Sequence, residues 1–210
     1  MSQSGNSIQN RYDGKTLSGA SFLIGGVQWF LGILAAESWH DGYSSRIDYV
    51  SELGIGPTAW LYNLSVFILG VFVFAGAFFL NRCQERRLLP ALLAMTGVGA
   101  MGVGIFPGYL QPMHSIFTLI AILFGGLGTI ASYSYQKAPM SIVALILGLM
   151  SLSLTIVFFP YLGLPSGSTV TFFGMPKGSM ERWAIYPILA WIISYGGYLI
   201  GTSQERLLTA

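Results

Sequence analysis

The chain concentrates charge in one short stretch whose residue types are suited to acid–base chemistry. Residues 43–57 read YSSRIDYVSELGIGP and hold Arg46, Asp48 and Glu52, although only 9% of all residues are charged. Helical spacing, i and i+4, would place Asp48 and Glu52 on one face and the apolar residues of the stretch on another. A carboxylate and a guanidinium at one depth, with an imidazole, are the parts of an acid–base site that also holds an anion. We therefore predict a polar site around this stretch.

The imidazole and a second guanidinium come from distant segments, each at the start of an apolar run. In an enzymatic version of this site, His114 would be the general base. Glu52 or Asp48 is predicted to orient it, and Arg46 or Arg182 to hold the anion of a headgroup. This arrangement requires Glu52, His114 and Arg182 to converge in space. No serine lies in a nucleophile-elbow motif, so no nucleophile is assigned.

Two further interpretations involve other polar residues. Asn63 lies about a turn and a half inside an apolar run, where it would line the floor of a vestibule or hydrogen-bond to a neighbouring helix. His40 and His114 with one carboxylate form a conceivable metal site, but they lack the close histidine spacing typical of zinc sites. We expect no metal and no cofactor.

The elements that must position these residues are transmembrane helices. The chain has 210 residues, of which 53% are hydrophobic. Apolar runs of 19 to 22 residues occupy 17–37, 59–80, 88–106, 114–132, 141–160 and 183–201. Each is near the ~20 residues that a helix needs to cross the hydrocarbon core. The sequence predicts an all-α, six-helix membrane domain over 17–201, flanked by a terminal segment 1–16 and a tail 202–210, with connections too short to house a soluble domain.

The basic residues indicate the orientation of these helices. With six spans, the two termini and the 81–87 and 133–140 connections share one side, and that side carries seven basic residues: Arg11, Lys15, Arg82, Arg86, Arg87, Lys137 and Arg206. The other side carries three: Arg46, Lys177 and Arg182. The positive-inside rule therefore predicts cytoplasmic termini, a multi-pass protein of the cell membrane, and an external polar site.

Composition also excludes several classes of function. A net charge of +2 with scattered basic residues argues against nucleic-acid binding. A lone cysteine, Cys83, permits neither an internal disulfide nor a thiol-pair redox centre. The two halves show no repeated pair of broken helices of the kind that marks many secondary transporters.

Three segments together resemble a known but uncharacterised family. They read YSSRIDYVSELGIGPTAWLYNLSVFILG, FPGYLQPMHSIFTLIAILFGG and GMPKGSMERWAIYPILAWIISYGGYL. They resemble the prokaryotic membrane family called domain of unknown function 998, which is similar to the Frag/DRAM/Sfk superfamily. In that family an S-[ED]-x-G segment precedes helix two, a histidine opens helix four and a G…ER segment opens helix six. The matching residues here are Ser51, Glu52, Gly54, His114, Gly174, Glu181 and Arg182.

The resemblance implies a six-helix fold and a connection with lipids, because its distant characterised relatives act in glycolipid-anchor remodelling and in leaflet asymmetry. We therefore expect the polar site to bind, and in an enzymatic version to process, a lipid or lipid-linked headgroup. Membrane lipids are the expected partners, and the sequence does not indicate an oligomeric state. The alternative is a non-catalytic structural or regulatory bundle whose external charges lock the loops together.

Overall fold

A computed structural model describes residues 13–209, which form a bundle of long α-helices. The helices are α1 (Gly14–Trp39), α2 (Ala59–Cys83), α3 (Leu88–Ile105), α4 (Met113–Ala131), α5 (Met140–Phe158) and α6 (Lys177–Thr209). Within these residues six helical segments are long and apolar enough to cross a membrane. The predicted all-α, six-helix membrane fold is confirmed. Residues 1–12 of the predicted N-terminal segment, including Arg11, and residue 210 of the predicted tail lie outside the described part.

The helices pack mainly against their neighbours in sequence, and α1 packs against α6 to complete the bundle. Large side chains such as Phe22, Trp29 and Trp191 are buried between them. The outward surfaces are also apolar, with exposed residues that include Ile24 and Ile146. A surface that is apolar both inside and outside is what helices immersed in hydrocarbon require.

The connections α1–α2, α3–α4 and α5–α6 lie at the same end of the bundle, which we call the polar end. This end comprises residues 40–58, 106–112 and 159–176 together with the adjoining helix ends. It contains 3₁₀ turns at Val50–Gly54 and Phe159–Tyr161, and a two-stranded antiparallel hairpin of β1 (Thr171–Phe172) and β2 (Met175–Pro176). A third 3₁₀ turn, Ser132–Tyr135, follows α4 at the opposite end. The predicted external location of the polar end stays a prediction.

The charged stretch differs in detail from its predicted form. The helical turn covers only Val50–Gly54, so Asp48 precedes it and shares no helical face with Glu52. Val50 and Leu53 are fully buried, as expected for residues that pack against the bundle. The departure from an α-helix is explained by Asp48 itself, whose carboxylate accepts a hydrogen bond from the Ser44 backbone and closes a separate turn.

Helix α6 begins at Lys177, earlier than the predicted span at 183. Its first turns contain Lys177, Glu181 and Arg182, which a hydropathy pattern assigns to a loop because charges are costly near lipid. In the structure all three side chains are turned into the protein, with at most 9% of each residue exposed. The charged turn can therefore be helical, because its charges contact protein rather than lipid.

Candidate functional site

A buried ion pair lies at the centre of the polar end. The Lys177 Nζ is 2.9 Å from the Glu52 Oε1 and also donates to the Pro165 carbonyl at 2.8 Å. It lies 4.2 Å from the centre of the Tyr49 ring, as in a cation–π contact. The Lys177 residue is fully buried. Because a buried ammonium is costly unless it is paired, this contact fixes the start of α6 to the turn at Glu52.

A second ion pair joins α6 to α1. The Arg182 Nη2 donates to the Glu37 Oε1 at 2.6 Å and to the Tyr43 hydroxyl. Its Nη1 donates to the carbonyls of Asp48, at 3.1 Å, and Gly178, at 3.0 Å. The planar guanidinium is suited to several simultaneous acceptors. Most of its donors are therefore used by groups of the protein itself. Glu37 is a partner that the sequence analysis did not identify. A carboxylate at the end of an apolar helix was the available signal, because such groups usually pair.

Two glycines permit the close backbone approach that these contacts need. A Cβ at Gly178 would lie 2.2 Å from the Asp48 carbonyl oxygen, and one at Gly54 would lie 2.5 Å from the Asn63 Oδ1. Asn63 donates through Nδ2 to the Gly54 carbonyl at 2.9 Å. The predicted vestibule residue thus fastens α2 to the turn above it, which agrees with the interhelical interpretation of a neutral amide.

The predicted orienting carboxylates already have partners in the protein. Glu52 accepts hydrogen bonds from Lys177 and from the Tyr49 backbone N–H at 2.9 Å, and Asp48 accepts one from the Ser44 N–H at 2.9 Å. Neither contacts His114. No hydrogen bond joins Glu52, His114 and Arg182 to one another among the residues that the structure describes. The catalytic roles of His114, Glu52 and Asp48 stay predictions.

Two tyrosines of the charged stretch connect these contacts. The Tyr43 hydroxyl accepts from Arg182 and donates to the Tyr49 carbonyl at 3.0 Å, and the Tyr49 hydroxyl donates to the Tyr161 carbonyl. Burial raises the pKa of both hydroxyls above the ordinary tyrosine value. Both therefore stay protonated and able to donate at neutral pH. Their hydrogen bonds connect the segments of the polar end to one another.

The His114 ring is oriented by the backbone. Its Nδ1 is 2.8 Å from the Phe106 carbonyl oxygen, and the residue is 7% exposed. Because a carbonyl can only accept, the Nδ1 carries a proton, and in the neutral ring the Nε2 is left as an acceptor. His40 has different surroundings: its ring stacks on Tyr43 at 5.5 Å between ring centres. Over residues 13–204, whose side chains the structure describes, no group of three histidine, cysteine or acidic side chains is arranged to hold a metal ion.

One cavity of about 490 Å³ opens beside Arg46, and we call it the Arg46 cavity. Arg46 is exposed, and its side chain has no hydrogen-bond or ion-pair partner among the described residues. Its backbone carbonyl is held by the Ser179 N–H at 3.1 Å. The remaining walls combine polar and apolar groups: Ser45, Leu147, Met150, Ser179, Arg182, Trp183, Tyr186, Pro187 and Ala190. The cavity therefore places an unpaired cation above an apolar wall.

A second cavity, of about 220 Å³, lies between the ends of α4, α5 and α6, and we call it the Glu181 cavity. Glu181 and His114 both line it, and so do Tyr49 and Thr118. Glu181 is 4% exposed and accepts a hydrogen bond from the Val50 N–H. It takes part in neither ion pair of the polar end. The sequence analysis matched Glu181 to the family pattern but gave it no role in the site.

Comparison with known proteins gives a family but no activity. Residues 23–197 match the model of a family described as protein of unknown function, DUF998. The chain belongs to the DUF998 family. No curated protein and no solved structure matches it. In this DUF998 protein the residues that carried the resemblance come from three distant segments, and Glu52, His114, Glu181 and Arg182 all lie at the polar end.

Proposed function

We propose that this DUF998 protein binds the anionic headgroup of a membrane lipid at its polar end, in the Arg46 cavity. The observation that carries the proposal is the unpaired state of Arg46. Lys177 and Arg182 have carboxylate partners, whereas the Arg46 guanidinium lines a cavity with none among the described residues. A phosphate suits a free guanidinium, because the two can form a pair of parallel charge-assisted hydrogen bonds.

The walls of the cavity support a lipid rather than a soluble anion. Leu147, Met150 and Pro187 line the part of the cavity that runs along α5 and α6, and these helices are long enough to cross the membrane. Trp183 is half exposed at the same level, where tryptophan favours the membrane interface. A lipid can enter such a cavity sideways from the bilayer, with its chains against the apolar wall and its phosphate at Arg46.

The test is lipid retention by the full-length protein in native mass spectrometry. The protein is equilibrated with equal amounts of phosphatidylglycerol and phosphatidylcholine with matched acyl chains. Arg46→Gln is expected to lower the preference for phosphatidylglycerol about fivefold, the effect of ~1 kcal/mol per basic residue near an anionic surface. The matched control is Arg86→Gln, an exposed arginine at the opposite end. If Arg46→Gln retains both lipids as wild type does, the proposal fails.

A second function is supported by a specific observation, the two ion pairs. Lys177–Glu52 and Arg182–Glu37 join α6 to the charged stretch and to α1. A purely structural bundle would need these contacts and no ligand. For a structural bundle we expect that removing an ion pair lowers stability and that wild type shows no lipid selectivity. The same mass spectra of wild type therefore distinguish the two functions.

An enzymatic version would require His114 to act on a group bound near it. His114 lines the Glu181 cavity rather than the Arg46 cavity. A lipid phosphate at Arg46 is thus not the group that His114 would meet. We therefore propose binding as the function and leave hydrolysis or transfer out of it.

A further inference from the structure

We propose that the Glu181 cavity is a second binding site, which takes the primary ammonium group of an amphiphile. This site is separate from the Arg46 cavity, because the two share no lining residue. The inference therefore goes beyond anionic headgroup binding and does not depend on it. It rests on the chemistry of the groups that face the cavity.

The polar groups around the cavity are rich in acceptors. Glu181 contributes a carboxyl group that is nearly buried and belongs to neither ion pair of the polar end. The Phe106 carbonyl occupies the Nδ1 of His114, which leaves the Nε2 of the neutral ring as an acceptor. The Thr118 hydroxyl is buried and has no hydrogen-bond partner in the described part of the chain. Buried polar groups are usually paired, so the Thr118 hydroxyl indicates a missing partner, and the Glu181 carboxyl and the His114 Nε2 offer acceptors beside it.

The walls of the cavity favour a cationic donor on an apolar molecule. Tyr49, Phe158 and Phe159 contribute aromatic rings, which attract a cation to their faces. Leu119, Ile122 and Leu162 contribute aliphatic surface. Lys177 covers the Tyr49 ring and is paired with Glu52. Arg182, next to Glu181 in the chain, is paired with Glu37. A primary ammonium supplies three donors and a charge, which suits a carboxylate, an imidazole nitrogen and a hydroxyl together.

Space for the apolar part of the ligand continues inward. Thr118 and Ile122, one helical turn apart on α4, also line a smaller cavity of about 70 Å³ in the centre of the bundle. The remaining walls of that cavity are almost wholly apolar and include Trp29, Leu69 and Ile188. An amine on an acyl chain or another apolar body fits this layout better than an amine on a polar metabolite does.

The experiment is a competition among three lipids in native mass spectrometry. The full-length protein is equilibrated with phosphatidylethanolamine, phosphatidylcholine and phosphatidylglycerol of matched acyl chains. Wild type is expected to retain the ethanolamine lipid over the choline lipid by about tenfold, because a quaternary amine cannot donate hydrogen bonds to the acceptors. Glu181→Gln should reduce this preference to about twofold or less. Gln keeps an oxygen that can accept from the Val50 N–H, and Glu85→Gln, an exposed acid at the opposite end, is the charge-matched control.

A second variant, Thr118→Val, provides an independent test in case Glu181→Gln does not fold. Thr118→Val preserves the shape of a side chain that makes no hydrogen bond in the described part of the chain, and it should lower the same preference by about threefold. Ethanolamine itself is the soluble probe. Glu181-dependent binding of ethanolamine without any lipid preference would support the ammonium site and give it a soluble ligand. Absence of any amine preference in wild type, or its persistence in both variants, would overturn the proposal.

Discussion

The two cavities at the polar end flank the same helix and are lined by different polar groups. The Arg46 cavity holds a guanidinium that has no partner among the described residues. The Glu181 cavity holds a carboxyl group outside both ion pairs and, at Thr118, a hydroxyl without a hydrogen-bond partner in the same part of the chain. The neighbouring residues Glu181 and Arg182 line different cavities, because successive residues of a helix point ~100° apart. Counting charges along the sequence groups Glu181 and Arg182 together, whereas in the fold they line different cavities.

The separation depends on charges that are not free. Lys177–Glu52 and Arg182–Glu37 fix the first turns of α6 between the charged stretch and α1. These pairs remove two cations and two carboxylates from the surface available to a ligand. Arg46 and Glu181 belong to neither pair, and each is the charged group that distinguishes its cavity.

The largest expected effect comes from removing the buried ammonium. Lys177→Met should destabilise the protein by ~3–5 kcal/mol, because it leaves the Glu52 carboxylate without its cation in a buried site. Thermal unfolding in detergent measures the change, and lipid selectivity at both cavities should fall together. The double variant Lys177→Met with Glu52→Gln should recover part of the loss. An unchanged unfolding temperature for Lys177→Met would show that the Lys177–Glu52 pair does not stabilise the start of α6 between the two cavities.

Arg182→Lys should have the next largest effect, a loss of ~1–3 kcal/mol. A lysine ammonium cannot serve Glu37, Tyr43 and two carbonyls in the geometry that the guanidinium uses. Coupling to Glu37→Gln in a double-mutant cycle measures the pair itself. A coupling energy near zero would contradict a structural role for the Arg182–Glu37 pair. Arg182 would then be available to bind a ligand.

Arg46→Gln should change stability by only ~0.5 kcal/mol or less, although Arg46 lies close to Arg182 in the same cavity wall. The difference follows from the absence of a partner for Arg46 in the described residues. Thermal unfolding of Arg46→Gln and Arg182→Lys under the same conditions measures the difference in stability between the two variants. Equal losses for the two variants would mean that Arg46 has a structural role.

The smallest effect is expected far from both cavities, at Asp13. Burial raises the pKa of Asp13, but hydrogen bonds from Thr16 and Ser203 outweigh it and hold the pKa below its ordinary value. A lowered pKa contributes stability that is present above the unfolded-state value, about 3.9, and is lost as the pH falls through the folded value. The difference in unfolding temperature between wild type and Asp13→Asn should therefore shrink below about pH 4. Lipid selectivity at neutral pH should be the same in both proteins.

The sequence was sufficient for the bundle but only partly sufficient for the site. Six apolar runs identify six helices, because hydrocarbon permits few alternatives for the backbone. Glu52, His114 and Arg182 lie at the same end of the bundle, but the groups that they contact could not be identified from the sequence. Lys177 and Glu37 are distant in sequence from the groups that they contact, and Phe106 lies eight residues from His114. A spacing rule for helical neighbours reaches only about one turn, so it finds none of these contacts.

The sequence also gave no means of ranking the charges. Which of the arginines is paired depends on the packing of α6 against α1 and on glycines that allow a close approach, as at Gly178. Glu181 and Arg182 are both acceptable members of a polar site until the helix places them on different faces. The free charges could therefore be identified only after the paired ones had been located.

A crossed comparison of two variants in one lipid mixture determines whether the polar end contains two separate binding sites. Arg46→Gln and Glu181→Gln are each equilibrated with phosphatidylglycerol, phosphatidylethanolamine and phosphatidylcholine, and the retained lipids are weighed by native mass spectrometry. We expect Arg46→Gln to lose the preference for phosphatidylglycerol while it keeps that for phosphatidylethanolamine, and Glu181→Gln to show the reverse. If either variant loses both preferences, or if both variants retain lipids as wild type does, the polar end does not contain two sites of opposite charge.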